Sequence, residues 1–172
     1  MAEIDTGLGR RAFLTRLAAA LGAFLSAAVG VPLVGAVVAP GLRRDQSQKV
    51  VLGAVGEFAP GQPRLVTVSI TKIDGYLHTS APRAVWVYRA PDDQLVVYNA
   101  RCTHLGCLLT FQPSAQTFFC PCHGGVFGLR DGQVLDGPPP RPLDRLSHQV
   151  TDGQLFVEYR DFLAGVPDQV PL

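Results

Sequence analysis

The sequence predicts an all-β domain joined to one N-terminal transmembrane helix, and two observations lead to this prediction. Residues 17–42 form a run of 26 residues without a charge, rich in Ala, Gly, Val and Leu. A helix of this length spans about 39 Å and can cross the roughly 30 Å hydrocarbon core of a bilayer with some tilt. The rest of the chain holds most of the 14 prolines and 18 glycines, which favours short strands separated by turns.

Seven segments after the apolar run alternate apolar and polar residues or are rich in β-branched residues, as strands are. The predicted strands are residues 50–55, 65–70, 84–88, 95–98, 117–119, 146–150 and 155–159. Asp152-Gly153 is a hairpin signal between the last two, and Asp131-Gly132 marks another turn. A net charge of +1 gives no reason to expect nucleic acid as a partner.

Two cysteine–histidine blocks carry the chemistry, CTHLGC at residues 102–107 and CPCHGG at residues 120–125. They contain all four cysteines of the chain and two of its four histidines. C-x-H followed by C-x-x-H offers two thiolates and two imidazoles, a set that binds a 2Fe–2S cluster when two histidines replace two cysteines on one iron. The same four groups could hold a structural zinc ion. Zinc is disfavoured because C-x-H is a tight spacing and Cys107 and Cys122 would remain unexplained.

The blocks resemble those of Rieske iron–sulfur proteins, in the branch of cytochrome bc and related quinol-oxidising complexes. The resemblance is strong over residues 99–145 and weaker outside them. It implies an all-β Rieske domain, with an antiparallel β base and a small cluster-binding β subdomain at about residues 99–145. One 2Fe–2S cluster is the expected cofactor, and its expected ligands are Cys102, His104, Cys120 and His123.

The resemblance also assigns roles to residues around the ligands. It implies a disulfide between Cys107 and Cys122, which fits an oxidising compartment and would pin the two cluster loops together. It implies a rigid loop that covers the cluster from a third side, formed by Gly137, Pro138, Pro139 and Pro140. The quinol is expected to hydrogen-bond to His123 or His104 and to pass its proton to that imidazole.

Two residues depart from the pattern of high-potential Rieske proteins. Those proteins commonly carry a serine and a tyrosine whose hydroxyls donate to cluster sulfurs, whereas this chain has Gly125 and Phe127 there. Donors to the sulfurs stabilise the reduced cluster, so their loss lowers the potential. The sequence therefore predicts a centre tuned low for its class, which suits menaquinol.

The N-terminus predicts export and anchoring. Arg10 and Arg11, followed by Phe13 and Leu14, are typical of a twin-arginine signal, a route for folded cargo such as a domain with its cluster in place. The predicted segments are a cytoplasmic tail at 1–16, a transmembrane anchor at 17–42, a hinge or linker at 43–49 and the Rieske domain at 50–172.

A cleaved signal peptide is the alternative to a retained anchor. The apolar run is longer than the usual apolar region of about 7–15 residues. The best cleavage site, after Ala39, is followed by Pro40, which would hinder cleavage. These features favour a single-pass protein of a bacterial cell membrane with its cluster domain on the periplasmic or outer side.

The resemblance implies a function within a complex. The protein would be the Rieske subunit of a membrane quinol:cytochrome c oxidoreductase, an electron-transfer protein when alone. Its partners would be a b-type cytochrome subunit, a c-type cytochrome, a membrane quinol and the lipid bilayer. The alternatives are an electron-transfer subunit of another exported oxidoreductase, such as arsenite oxidase, and a zinc module without redox activity.

Overall fold

A computed structural model of the chain describes residues 9–42, 47–74 and 77–172. Its contacts divide the chain into two units, Met1–Arg44 and Asp45–Leu172. The first eight residues and residues 43–46, which belong to the predicted tail and linker, lie outside the described residues.

The first unit contains one helix, α1 (Arg10–Leu42), of 33 residues. Residues Arg10–Ala39 are long and apolar enough to cross a membrane. The helix begins at Arg10, before the uncharged run, so Arg10, Arg11 and Arg16 lie on its first turns. The last residues of the predicted cytoplasmic tail, from Arg10 onward, therefore belong to the helix.

The second unit is built of short strands and one 3-10 turn at Val55–Glu57. The strands are β1 (Gln48–Ala54), β2 (Arg64–Asp74), β3 (Leu77–Arg89), β4 (Leu95–Asn99), β5 (Thr110–Gln112), β6 (Thr117–Phe119), β7 (Val126–Gly128), β8 (Val134–Asp136), β9 (His148–Thr151) and β10 (Gln154–Tyr159). All seven predicted strands are present, and the predicted all-β class is confirmed. Three strands of three residues each, β5, β7 and β8, were not predicted because they are too short to show a period of two, whereas the equally short β6 is all β-branched and aromatic residues.

Two antiparallel three-stranded sheets form the base of the domain. Their strand orders are β1-β10-β9 and β2-β3-β4. The two turn residues Asp152 and Gly153 both have positive φ, 50° and 73°, which is the geometry that joins β9 to β10 as a tight hairpin. Between the sheets lies an apolar core of Leu52, Phe58, Val68, Ile70, Val85, Val87, Val97, Leu146, Leu155, Val157 and Tyr159.

Strand β3 connects the base to the cluster-binding region because its side chains alternate between two cores. Val85 and Val87 lie in the core of the base. Trp86 and Tyr88 point to the opposite face and belong to a second core. That core also contains Phe118, whose ring lies 5.2 Å from that of Trp86. The four-stranded sheet β5-β6-β7-β8 is thus packed on the outer face of the base.

Candidate metal centre

The first cysteine–histidine block lies in the loop between β4 and β5. The Cys102 N–H donates to the Cys107 carbonyl at 2.8 Å, and the Gly106 N–H donates to the Cys102 carbonyl at 2.8 Å. Gly106 has φ +77°, and a Cβ there would lie 2.6 Å from Nη2 of Arg101. Glycine is favoured at the turn by its backbone conformation, whereas the flexible Arg101 side chain could move away from an added Cβ.

The second block repeats the same hydrogen-bonded ring in the loop between β6 and β7. The Cys120 N–H donates to the Gly125 carbonyl at 2.8 Å, and the Gly124 N–H donates to the Cys120 carbonyl at 3.0 Å. Gly124, like its counterpart in the first loop, has a positive φ, +74°. The two loops are therefore matched in backbone geometry, each with its first cysteine at the base of the turn.

The structure brings the predicted ligands together in two pairs, one of thiols and one of imidazoles. Cys102 and Cys120 are free thiols, 2% and 1% exposed. The imidazole rings of His104 and His123 lie 4.8 Å apart and nearly perpendicular. The thiols of Cys102 and Cys120 are buried neighbours, whereas His104 is partly exposed and His123 is exposed.

One further observation fits this set to a metal cluster. Nδ1 of His104 is buried and has no hydrogen-bond partner among the described residues, and an orphaned ring nitrogen is what a metal ligand leaves when the metal is absent. Burial raises the pKa of the Cys102 thiol to about 11, against backbone N–H donors that lower it. A metal ligand has to be a thiolate, so a cluster bound at Cys102 would have to displace the proton of this thiol.

A disulfide joins Cys107 of the first loop to Cys122 of the second. The pairing implied by the resemblance is therefore present. The sulfur of Cys120 lies within 4.8 Å of both disulfide sulfurs. Sulfurs engaged in a disulfide offer no thiolate, so Cys107 and Cys122 are not ligands in this state. Their role is to tie the two ligand loops together directly beside Cys120.

The proline-rich loop packs against the second loop through two glycines. Gly137 has φ +90°, and a Cβ there would lie 2.8 Å from Cα of Gly125. A Cβ on Gly125 would in turn lie 2.8 Å from Cγ of Pro139 and 3.5 Å from the Phe127 ring. The position of the missing serine is thus filled by the buried ring of Pro139, while Pro138 and Pro140 remain exposed.

Phe127 belongs to the second core, and it also stands where the resemblance leads one to expect a tyrosine hydroxyl. Its side chain is fully buried. It pairs with Phe118 across strands β6 and β7. Phe118 contacts Trp86 and, edge-on at 5.9 Å, Tyr98. This aromatic group holds the strand that leads into Cys120.

Sequence reasoning missed the residues that support the first loop from its far side. Thr103 is 1% exposed, and its hydroxyl donates to the Arg141 carbonyl at 2.8 Å. Arg141 is itself buried and paired with Asp144. An arginine with an aspartate three residues later, inside an otherwise proline- and leucine-rich stretch, is the signal that could have revealed this buried pair.

A family model described as the Rieske [2Fe-2S] domain matches residues 48–150, which include both loops and all four predicted ligands. The chain belongs to the Rieske family. As in that domain, its cofactor is a 2Fe–2S cluster, which favours iron over the zinc alternative.

Curated relatives place this Rieske protein in the bc-type branch. The menaquinol:cytochrome c reductase iron-sulfur subunit of Geobacillus thermodenitrificans is 30% identical over 152 residues, 86% of this chain and 89% of that protein. That of Bacillus subtilis (strain 168) is 29% identical over 154 residues, covering 87% and 91%. The cytochrome b6-f complex iron-sulfur subunit of Chlorobaculum tepidum is 27% identical over 148 residues, covering 86% and 74%.

Proposed function

We propose that this Rieske protein is the electron-transfer subunit of a membrane quinol:cytochrome c oxidoreductase. Cys102, His104, Cys120 and His123 hold its cluster. The observation that carries this proposal is the pair of adjacent imidazoles on two matched loops that each begin with a buried thiol, with Nδ1 of His104 buried and unpartnered among the described residues. The names of its curated relatives support the same function.

The chain's own residues explain how a quinol would react at this site. When bound, the cluster supplies a one-electron acceptor with a potential between roughly −150 and +300 mV. His104 is partly exposed although its Nδ1 is buried, so Nε2 is the nitrogen left for the quinol. A quinol hydroxyl can donate to Nε2 and transfer its proton there when this nitrogen carries no proton, which for a ring held through Nδ1 is the imidazolate form.

Two exposed leucines lie in and just after the first block. Leu105 is 61% exposed and Leu108 is 50% exposed. Exposed leucines beside a polar centre are suited to a hydrophobic quinol and to the partner surface that completes its pocket. In this proposal the second electron passes to a b-type cytochrome subunit, and the reduced Rieske subunit delivers the first to a c-type cytochrome.

The quinol in this proposal is menaquinol, and the potential is low for the class. Gly125 has no side chain to donate, and the Pro139 ring occupies the space where one would be. Phe127 carries no hydroxyl and is buried. With fewer donors to the cluster sulfurs, the reduced state is less stabilised and the potential falls.

The topology in this proposal is a single span with the cluster domain on the periplasmic or outer side. Arg10, Arg11 and Arg16 precede the uncharged run and favour a cytoplasmic N-terminus. The proposed hinge at 43–49 would allow the domain to move between the quinol and the cytochrome.

An EPR-monitored redox titration of membranes with an identified quinone pool tests the function. The expected result is a Rieske signal in the lower part of the family range, in membranes that contain menaquinone, with b-type haem co-purifying with the protein. A potential near +300 mV would contradict the low tuning. Co-purification with a molybdenum subunit and no b-type haem would contradict the proposed complex.

The ligand assignment has a separate test with a matched control. His123→Ala is expected to lose the iron, since it removes one imidazole ligand. His148→Ala changes an exposed histidine outside both loops and should keep the iron content of the unmodified chain. Equal iron content in the two variants would refute the assignment of His123.

A further inference from the structure

The C-terminal segment, residues 161–172, folds back on itself beyond the last strand. The Leu163 N–H donates to the Val170 carbonyl at 2.9 Å, and the Leu172 N–H donates to the Asp161 carbonyl at 2.9 Å. The start of the segment is fixed by Asp161, which accepts hydrogen bonds from Tyr159 at 2.7 Å and from Arg83 at 3.1 Å. The segment is therefore a closed loop anchored to the base of the domain.

This segment contacts the first cluster loop between two of its ligands. The Gly165 N–H donates to the Thr103 carbonyl at 2.9 Å. Thr103 stands between Cys102 and His104 in the chain. Gly165 has φ +80°, and a Cβ there would lie 3.3 Å from the His104 carbonyl oxygen, closer than side chains normally approach. The backbone of the C-terminal segment thus lies directly against the backbone that carries a proposed ligand.

Arg141 connects the segment to the same loop from the other side. Its guanidinium donates to Asp144 through Nε at 3.0 Å and Nη2 at 2.9 Å. It also donates to the Val166 carbonyl at 2.6 Å and the Leu163 carbonyl at 3.0 Å. The Arg141 carbonyl accepts the hydroxyl of Thr103.

Together these bonds form a closed circuit that runs from Thr103 to Arg141, on to the C-terminal segment, and back through Gly165 to Thr103. The side chains of Arg141 and Thr103 are buried within it. Buried hydrogen bonds to a charged group are among the stronger ones, and such a group is costly to leave unpaired. The circuit therefore holds the first loop against movement on the side away from the disulfide.

We infer that the C-terminal segment 161–172 positions the first cluster loop, with Arg141 and Gly165 as positioning residues for the His104 end of the centre. The disulfide restrains the end of that loop at Cys107, and the segment restrains its middle at Thr103. This inference rests on the ligand assignment proposed above and is independent of which quinol or cytochrome the protein serves.

The test compares two glycine variants of the full-length chain. Gly165→Ala adds a methyl group at φ +80°, against the His104 carbonyl. Gly153→Ala is the matched control, because Gly153 has φ +73° with nothing within 4 Å of its Cβ position. Both variants bear the cost of a left-handed backbone, and only the first pushes on the cluster loop.

Three measurements separate positioning from general stability: the midpoint potential with the EPR line shape, the rate of iron loss, and amide hydrogen exchange over residues 102–107 compared with strand β10. Gly165→Ala should shift the potential or line shape, lose iron several-fold faster than Gly153→Ala, and exchange faster in the loop with β10 unchanged. If Gly165→Ala matches Gly153→Ala in all three measurements, the segment does not position the loop.

Arg141→Lys is the second variant, since lysine keeps the charge but cannot serve the same four acceptors with a planar fork. It should show the same shift and faster iron loss. If Arg141→Lys fails to fold, the comparison of Gly165→Ala with Gly153→Ala still tests whether the segment positions the loop. An unmodified chain that binds no iron would overturn the ligand assignment, while hydrogen exchange in the loop would still report on the segment.

Discussion

At the scale of single residues, Gly125 shows how one missing side chain affects both packing and chemistry. A Cβ at this position would meet the Pro139 ring at 2.8 Å. We expect Gly125→Ala to destabilise the domain by about 1–3 kcal/mol through overpacking, measured by urea unfolding. Gly125→Ala combined with Pro139→Ala should recover part of that loss. Gly56→Ala is the control, because nothing lies within 4 Å of its Cβ position.

The same contact decides how the potential should be tested. Gly125→Ser alone would change the potential in two ways at once, since it adds a hydroxyl donor and also displaces the proline loop. In a Pro139→Ala background the serine has room, and we expect the potential to rise above that of Pro139→Ala alone because a donor stabilises the reduced cluster. No rise in a redox titration of this pair would show that backbone donors already compensate.

Asp161 predicts a pH dependence at the residue scale. Burial by itself raises the pKa of Asp161, but the Tyr159 hydroxyl and Arg83 outweigh it, so that its pKa is lower in the folded protein than in the unfolded chain. The carboxylate therefore stabilises the fold above the unfolded pKa of about 3.9, and this stabilisation is lost as pH falls through the lower folded value.

Asp161→Asn should therefore lower the free energy of unfolding by about 1–2 kcal/mol at pH 7. The difference from the unmodified chain should shrink as the pH falls from about 4 through the lower folded pKa, because below that pKa the carboxyl is uncharged in the folded chain as well. Denaturant unfolding of both proteins at pH 7 and at a pH well below about 4 measures this difference in the free energy of unfolding. A difference that persists unchanged at low pH would mean that packing, and not charge, is responsible.

At the scale of elements, the two matched loops depend on the disulfide between them. Closing a loop of about 15 residues contributes roughly 3 kcal/mol in the chain-entropy model. Since Cys107 and Cys122 lie beside Cys120, we expect dithiothreitol to release iron before the domain unfolds. Iron content and far-ultraviolet circular dichroism, followed together, measure the two events.

The double variant Cys107→Ser/Cys122→Ser is the control for this prediction. It should lose iron without reductant, and added dithiothreitol should then have no further effect. If the variant retains iron as well as the unmodified chain, the disulfide does not restrain the ligand loops.

The elements also show what the sequence could and could not predict. The ligand blocks could be recognised because each is a motif of six consecutive residues. The longer strands could be recognised because their alternation of apolar and polar residues continues over several residues. Strands β5, β7 and β8 are three residues each and leave no period to detect, and β6, of the same length, was predicted only from its β-branched and aromatic residues. The contact of Pro139 with Gly125 and that of Gly165 with Thr103 join residues distant in the chain, which no local pattern encodes.

At the scale of the whole molecule, membrane attachment and export constrain each other. In the proposed topology the cluster is inserted before the domain reaches its working side, so the proposed route has to carry a folded domain. The helix is long and apolar enough for the span, and the arginines on its first turns are the proposed signal. Arginine also orients a helix simply by its positive charge, and the two roles must be separated by experiment.

The substitution that separates them is Arg10→Lys/Arg11→Lys. Lysine keeps the positive charge that retains the N-terminus in the cytoplasm, while the twin-arginine pair is removed. We expect the double variant to stay membrane-attached with its domain protected from external protease in spheroplasts, whereas the domain of the unmodified chain is digested. Arg16→Lys, a change of the third arginine outside the pair, should leave protease access unchanged. Full digestion of the double variant, with its cluster present, would show that export depends on charge alone.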